Sequence, residues 1–367
     1  MTTNSKETVS LYLHFPFCVK KCAYCAFFSE PCRDEELKDE YAKALIRRIE
    51  SMPQFGVKTV YFGGGTPTLM GPKRLCAVLD AVTGRCRVNR DAEITVEANP
   101  GTVDAEALAS LASGGFNRIS LGMQSANDRT LSLLGRIHNN GDFLRCFDDA
   151  AKCFDNISVD MIFAVPGDEE AETLEQIRRI APKHVSAYSL MLEEGTPLYA
   201  RRHEYVFPDE DAEEAQYDTI CRALRDEGYT HYEISSFALP GYESKHNTVY
   251  WERGEYIGLG PGAHSFYKGR RFSVEKDTKK FIRNSCLPFL SDTDFESESP
   301  ITPEEAEEER IMLGLRLKKG VMLKGKRLKA AADAAKRGYG DIKNGVFALN
   351  EKGFRVSNAV IAKILAE

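Results

Sequence analysis

His14-Phe15-Pro16-Phe17-Cys18-Val19-Lys20-Lys21-Cys22-Ala23-Tyr24-Cys25 places three thiols in one short loop directly behind an apolar run. That spacing offers three thiolates to a single cluster of irons. Three ligands on a [4Fe-4S] cube leave one iron without a protein partner, and an open metal position is where a small molecule is bound and changed. Zinc is the alternative, but it normally takes four ligands. The next thiol, Cys32, stands seven residues beyond Cys25 on the approach to a helix, a poor spacing for a four-cysteine site.

Upstream of the loop, the run from Val9 to Phe15 reads as a strand; downstream, Asp34 to Ser51 reads as a helix, acidic in its first turn and basic in its last. The alternation continues. Strands are expected at Val57 to Phe62, Ala92 to Glu97, Arg118 to Met123, Ile157 to Phe163 and His184 to Leu190, with helices near Asp104 to Ser113, Asn140 to Phe154 and Glu169 to Ile180. Six βα units are too few for a closed eight-unit barrel. The expected class is therefore α/β, a partial (β/α)6 open barrel whose chemistry lies at the carboxyl ends of its strands. Beyond Leu190 the pattern turns irregular through Phe207, then gives a long helix from Asp209 to Glu227, a strand from His231 to Phe237 and Gly-rich loops.

The 367 residues carry a formal net charge of -6 and 43% hydrophobic residues, which argues against disorder and against generalised nucleic-acid binding. Charge is uneven along the chain. Asp292 to Glu309 is strongly acidic, whereas Arg310 to Lys343 holds eleven Lys and Arg against Asp333 and Asp341. The contrast reads as a solvated linker followed by a helical unit with a basic outer face, and the organisation expected is a core over 1–190, an extension over 191–299 and a C-terminal unit over 300–367. From Arg310 onward, Gly-Leu-Arg-Leu-Lys-Lys-Gly-Val, a helix of Ala and Lys, a short strand at Gly345 to Leu349 and a final helix read as a winged-helix-like α+β module. The start, Met-Thr-Thr-Asn-Ser-Lys-Glu, lacks the apolar core of a signal peptide, and no stretch approaches the roughly 18 to 20 apolar residues of a membrane span. A cytoplasmic chain with reduced cysteines is expected.

Gly63-Gly64-Gly65-Thr66-Pro67 follows the second strand and leaves backbone bare for close approach. Glu97 closes the third strand in Glu-Ala-Asn-Pro-Gly-Thr, Gln124 the fourth in Gly-Met-Gln-Ser, and Asp160 falls within the fifth. Polar groups at the ends of apolar strands cost about 1 to 3 kcal/mol each if buried unpaired, so they are expected to face a polar ligand or to cap neighbouring loops. Arg136, in Leu-Gly-Arg-Ile-His, can pair a carboxylate or stand on a helix surface.

Taken in order, the cysteine triad, Gly-Gly-Gly-Thr-Pro, Glu-Ala-Asn-Pro-Gly-Thr, Gly-Met-Gln-Ser and Gly-Arg-Ile-His resemble the radical S-adenosylmethionine (SAM) proteins related to oxygen-independent coproporphyrinogen III oxidase. The resemblance runs from Leu11 to about Ser265 and resumes in the C-terminal unit. It implies a [4Fe-4S] cluster on Cys18, Cys22 and Cys25, SAM chelating the open iron, and reductive cleavage of SAM to methionine and a 5′-deoxyadenosyl radical. It further implies that Tyr12 and Tyr24 flank cluster and SAM, that Gly64, Gly65 and Thr66 take the methionine part, and that Glu97, Gln124, Arg136 and Asp160 line the remaining pocket.

Two departures point away from the oxidase itself. The oxidase pattern ends Cys-x-Cys, whereas Ala26 and Phe27 follow Cys25 here, and only ten residues precede Leu11. His246-Asn247-Thr248-Val249-Tyr250-Trp251 resembles the His-Asn-x-x-Tyr-Trp motif of the HemW branch, regarded as heme chaperones. That branch implies heme as a third cofactor, with His246 as iron ligand ahead of His264 and with Tyr250 and Trp251 packing on the macrocycle. The competing reading is a hydrogen-bonded histidine anchoring the aromatic pair. Ala164 stands where relatives have Gly before a Val-Pro-Gly turn, and Pro261 interrupts a run that is often Gly-Cys-Gly. The partners implied are heme, heme-accepting proteins of respiration or heme storage, and an electron donor for the cluster; nucleic acid is not among them, and a membrane surface and a second copy of the chain are left open. The rival functions are decarboxylation of coproporphyrinogen III and, from another class, a DNA-binding regulator using the basic C-terminal module with the cluster as redox sensor.

Overall fold

A computed structural model describes residues 7–289 and 295–367, with the backbone alone for 295–299. The amino-terminal residues 1–6 and the first acidic residues of the run from Asp292, within 290–294, lie outside the described residues.

Six strands form the centre of one sheet: β1 (Thr8–Phe15), β2 (Gly56–Gly64), β3 (Arg87–Ala98), β4 (Arg118–Gln124), β5 (Asn156–Phe163) and β6 (His184–Ser189). They are parallel neighbours in that order. Each parallel pair needs a crossover, and helices α1 (Glu35–Ser51), α2 (Pro72–Arg85), α3 (Ala105–Ser113), α4 (Asp128–Leu133), α5 (Asn140–Ala150) and α6 (Glu170–Ile180) lie in these connections. Covered strands read as apolar runs, and all seven residues of β4 are buried. The helix ends follow their capping residues. Asp34 accepts from Leu37 N at the start of α1, and Asn139 and Asp142 form a reciprocal capping box at the start of α5. Helix α2 is not among the helices expected from the sequence; Pro72 at its first position opens it.

The central strands gain further neighbours on both sides. Beyond β6, the single strand expected from His231 to Phe237 is a hairpin of β7 (Thr230–Glu233) and β8 (Ser236–Ala238), with β8 antiparallel to β6. Beyond β1 lie β9 (Tyr256–Leu259), parallel to it, and then β10 (His264–Tyr267), β11 (Arg270–Val274) and β12 (Phe295–Pro300) in an antiparallel run. The two outermost strands, β12 and β7, do not pair with one another, so the twelve-stranded sheet is open. The long helix expected after the core is α7 (Glu210–Asp226), and α8 (Lys245–Trp251) and α9 (Thr278–Asn284) fill the stretches read as loops.

The acidic run is not a solvated linker where it is described. Its backbone from Phe295 to Pro300 is edge strand β12, and Pro303–Gly314 is helix α10, opened by a Thr302–Glu305 capping box. Glutamates in a first turn satisfy helix-end N–H groups, and Glu309 binds Arg253 and Arg271 at 2.8 Å each. The chain ends in β13 (Val321–Met322), α11 (Gly325–Lys336), the hairpin β14 (Gly340–Lys343) and β15 (Val346–Leu349), and α12 (Ser357–Leu365). With α10 these give the helix-strand-helix-hairpin-helix order of a winged-helix-like unit around its own apolar cluster of Ile311, Leu315, Phe347 and Ile361.

Candidate functional site

The carboxyl ends of β1 to β6 surround a cavity of about 520 Å³. Its walls hold Cys18, Cys22 and Cys25 together with Tyr24, Gly64, Gly65, Thr66, Glu97, Gln124, Arg136 and Asp160. Eleven side chains and glycines singled out from the sequence thus share one space.

The cysteine loop leaves β1 and is pinned at several points. Phe17–Cys18 pairs with Glu30–Pro31, Cys32 N donates to Cys18 O at 2.9 Å, and Ala23 N donates to Leu134 O at 2.9 Å. The glycine run is packed against it. A Cβ on Gly65 would stand 2.7 Å from Phe17 O and 3.0 Å from Cys18 Sγ, and Gly64 takes φ +119° over the His14 ring, so side chains are excluded there. Thr66 Oγ1 donates to Cys18 Sγ at 3.6 Å and Arg136 Nη1 to Cys22 Sγ at 3.5 Å. Burial pushes the Cys18 and Cys25 thiols up from their ordinary range, so as thiolates they need nearby positive charge. Among the described residues, no three or more His, Cys, Asp and Glu side chains are arranged as they stand to hold a metal ion. The fit with an iron cluster rests on the donor set, three sulfurs on one cavity wall with a guanidinium beside them.

The cavity also carries the acids Glu97 and Asp160. Glu97 accepts from Tyr61 Oη at 2.7 Å and from Gly64 N at 3.2 Å, and burial beside Asp160 raises it to about 7. Asp160 is also raised by burial and accepts from Ser120 Oγ at 3.2 Å. Arg136 donates to Gly122 O at 2.9 Å and to Asn99 Oδ1, while Asn99 Nδ2 reaches Thr66 Oγ1 at 2.8 Å. The wall is a continuous set of polar contacts from the glycine run to Cys22.

Several lining residues escaped the sequence reading, namely Asn99, Arg118, Ser120, Ser186, Tyr188 and Met191. A signal was there. Arg118, Ser120, Gly122 and Gln124 alternate along β4 and all line the cavity, while Ile119, Leu121 and Met123 turn into the core. Arg118 is the sharpest case. Its side chain is 2% exposed, its nearest carboxylate oxygen is 4.0 Å away on Glu93, and its Nε has no hydrogen-bond partner. Gln124 sits at φ +69°, a left-handed backbone that aims the end of β4 at the cavity.

Tyr12 does not line the cavity. It lies beneath it, hydrogen-bonded to His14 Nδ1 at 3.1 Å and stacked on Tyr61 with ring centroids 6.1 Å apart. His246, expected as an iron ligand, lies in the core. It is 1% exposed, with Nδ1 2.7 Å from Thr59 Oγ1 and Nε2 2.8 Å from Tyr250 Oη, so neither ring nitrogen is free for iron. Burial holds it neutral, down to about 3. Its backbone N and that of Lys245 donate to Glu93 at 2.9 and 3.0 Å, so a buried carboxylate secures the first turn of α8. Tyr250 is edge-on to Tyr256, and Trp251 lies 5.9 Å from the Arg316 guanidinium. These contacts are the ones the anchoring alternative expects, made from helix α8 rather than from a loop. His264 is exposed at the start of β10.

A family profile described as the radical SAM superfamily matches residues 12–180. A heme chaperone HemW from Lactococcus lactis is 34% identical over 324 residues, covering 86% of this chain and 83% of that protein. A second, from Escherichia coli, is 38% identical over 299 residues, 78% of this chain and 79% of its own. Among solved structures, coproporphyrinogen III oxidase (HemN) from Escherichia coli superposes with a TM-score of 0.84 at 19% identity, covering 99% of this chain and 91% of that chain. At that identity the oxidase establishes the fold alone.

Proposed function

Because this chain belongs to the radical SAM superfamily, among its HemW-like members, we propose that it holds a [4Fe-4S] cluster and SAM in the cavity and carries heme to acceptor proteins. The observation that carries the reading is the cavity itself, which joins three thiols to a polar wall with unsatisfied donors. Cys18, Cys22 and Cys25 would hold the cluster, which when bound supplies an open iron position and the electron for reductive cleavage of SAM.

The chain's own part is binding and orientation. Arg136 beside Cys22 offsets thiolate charge, and Gly64 and Gly65 leave room for the methionine part of SAM. Glu97, once ionised, accepts an ammonium group, and Asp160 and Gln124 accept or donate to hydroxyls farther in. Burial of this wall keeps water from competing for those contacts. Phe27, 71% exposed on the cavity rim, is an apolar surface where the oxidase pattern places a fourth cysteine.

Anaerobic reconstitution with iron and sulfide, followed by SAM titration and by hemin loading and transfer to an apo-cytochrome, tests the whole reading. Near four irons per chain, saturable SAM and hemin binding, and hemin transfer are expected. A preparation that takes up zinc but no cluster, or that does not bind hemin, defeats it.

A further inference from the structure

Resting on the reading of the chain as a heme carrier, we propose that His203 is the ligand to heme iron and that the surface from Tyr199 to Phe207 seats the macrocycle. The chain has seven histidines. Five, His14, His138, His184, His231 and His246, are buried, each with a ring nitrogen in a hydrogen bond. A buried, engaged imidazole has to break core contacts to reach a planar ligand as large as heme. Only His203 and His264 are exposed. His264 is engaged by its neighbours, whereas His203 makes no hydrogen bond among the described residues.

The surroundings of His203 match the other two demands of heme, an apolar face and paired carboxylates. Val206 is 90% exposed, a large apolar side chain presented to solvent between Tyr205 and Phe207, whose rings meet edge-on at 6.4 Å. Arg201 and Arg202 precede the histidine and are exposed. Arg201 pairs with Glu204 at 2.7 Å, and Arg202 lies over the Tyr199 ring at 4.2 Å. The pair is solvent-exposed, so a propionate can replace Glu204 at little cost.

The same segment is tied to the cavity. Met191 and Glu193 line it, and Leu198 N donates at 2.8 Å to the carbonyl of Ala23, between Cys22 and Cys25. A heme on His203 therefore lies on a segment fastened to the cysteine loop. Binding needs only a lone pair from a neutral imidazole nitrogen into an open iron position, with water as the displaced ligand and no change of oxidation state.

The test is hemin titration of the full-length chain, followed through the Soret band. His203→Ala should weaken binding at least ten-fold and remove the imidazole-ligated spectrum, and added imidazole should restore that spectrum; melting should be unchanged, since the residue is exposed. His264→Ala should bind as the parent does. Unaltered binding by His203→Ala, or loss confined to His264→Ala, overturns this assignment while leaving the heme-carrier reading intact. Failure of the unaltered chain to bind hemin saturably defeats that reading itself, and this assignment with it.

Discussion

The cavity wall and the helix around His246 are both built from buried polar residues, and they differ in whether every donor atom has a partner. Around His246 both ring nitrogens, the backbone N–H groups and the Glu93 carboxylate are paired within the protein. On the cavity wall, Arg118 and Arg136 each keep a buried Nε without an acceptor, and two thiols are raised by burial. A buried polar group left incomplete costs about 1 to 3 kcal/mol, so an unfilled set points to a guest and a filled set to a structural joint. Residue type alone would have assigned both regions to ligands.

The contrast can be broken most decisively at the thiols. Cys22→Ser should abolish cluster assembly under anaerobic reconstitution while leaving the melting curve of the metal-free chain close to the parent; iron and sulfide assays decide this. His246→Ala should do the reverse. It leaves Thr59 and Tyr250 without partners and opens a void, so a loss of roughly 2 to 4 kcal/mol in denaturant unfolding is expected, with cluster loading retained in the fraction that folds.

A third test uses acidity. With its carboxyl raised to about 7, Glu97 ionises as pH rises through neutrality, so SAM binding should strengthen between pH 6 and 8, and Glu97→Gln should weaken it by about ten-fold and flatten that dependence. For stability the sign is opposite. The unfolded carboxyl loses its proton near its ordinary value of 4.5 while the folded one keeps it to about 7, so this group's contribution declines over that interval as pH rises. His246 works the other way. Held down to about 3, it contributes stability that is complete above 6.5 and falls as pH drops from there toward 3. Unfolding followed across pH for His246→Gln and Glu97→Gln separates the two slopes.

The smallest effect is expected at Ala164, which sits at φ +58° where a glycine would be unstrained. Ala164→Gly should change stability by no more than about 1 kcal/mol and leave cluster content alone.

Much of this architecture was legible in the chain. The six parallel strands announce themselves because each is an apolar run ended by a turn signal, and the cysteine loop because its spacing has few other uses. The winged-helix-like order was legible from the switch between helical and strand periods after Arg310. Other features were not readable locally. Helix α2 has no side-chain cap to mark its start, and the acidic run read as a linker because Arg253 and Arg271, the partners of Glu309, lie far away in sequence. His246 shows the deeper limit, since a sequence names an imidazole but not the Thr59 and Tyr250 oxygens that occupy both its nitrogens. Arg118 shows the converse, because its alternation with Ser120 and Gln124 was visible and went unread.

The Arg118 guanidinium that lines the cavity also bears on the lifetime of the protein. A molecule whose interior cation keeps one donor without an acceptor is held together partly by any guest that supplies it, through mass action. Chains whose cavity stands unfilled should therefore be the ones that proteases clear first.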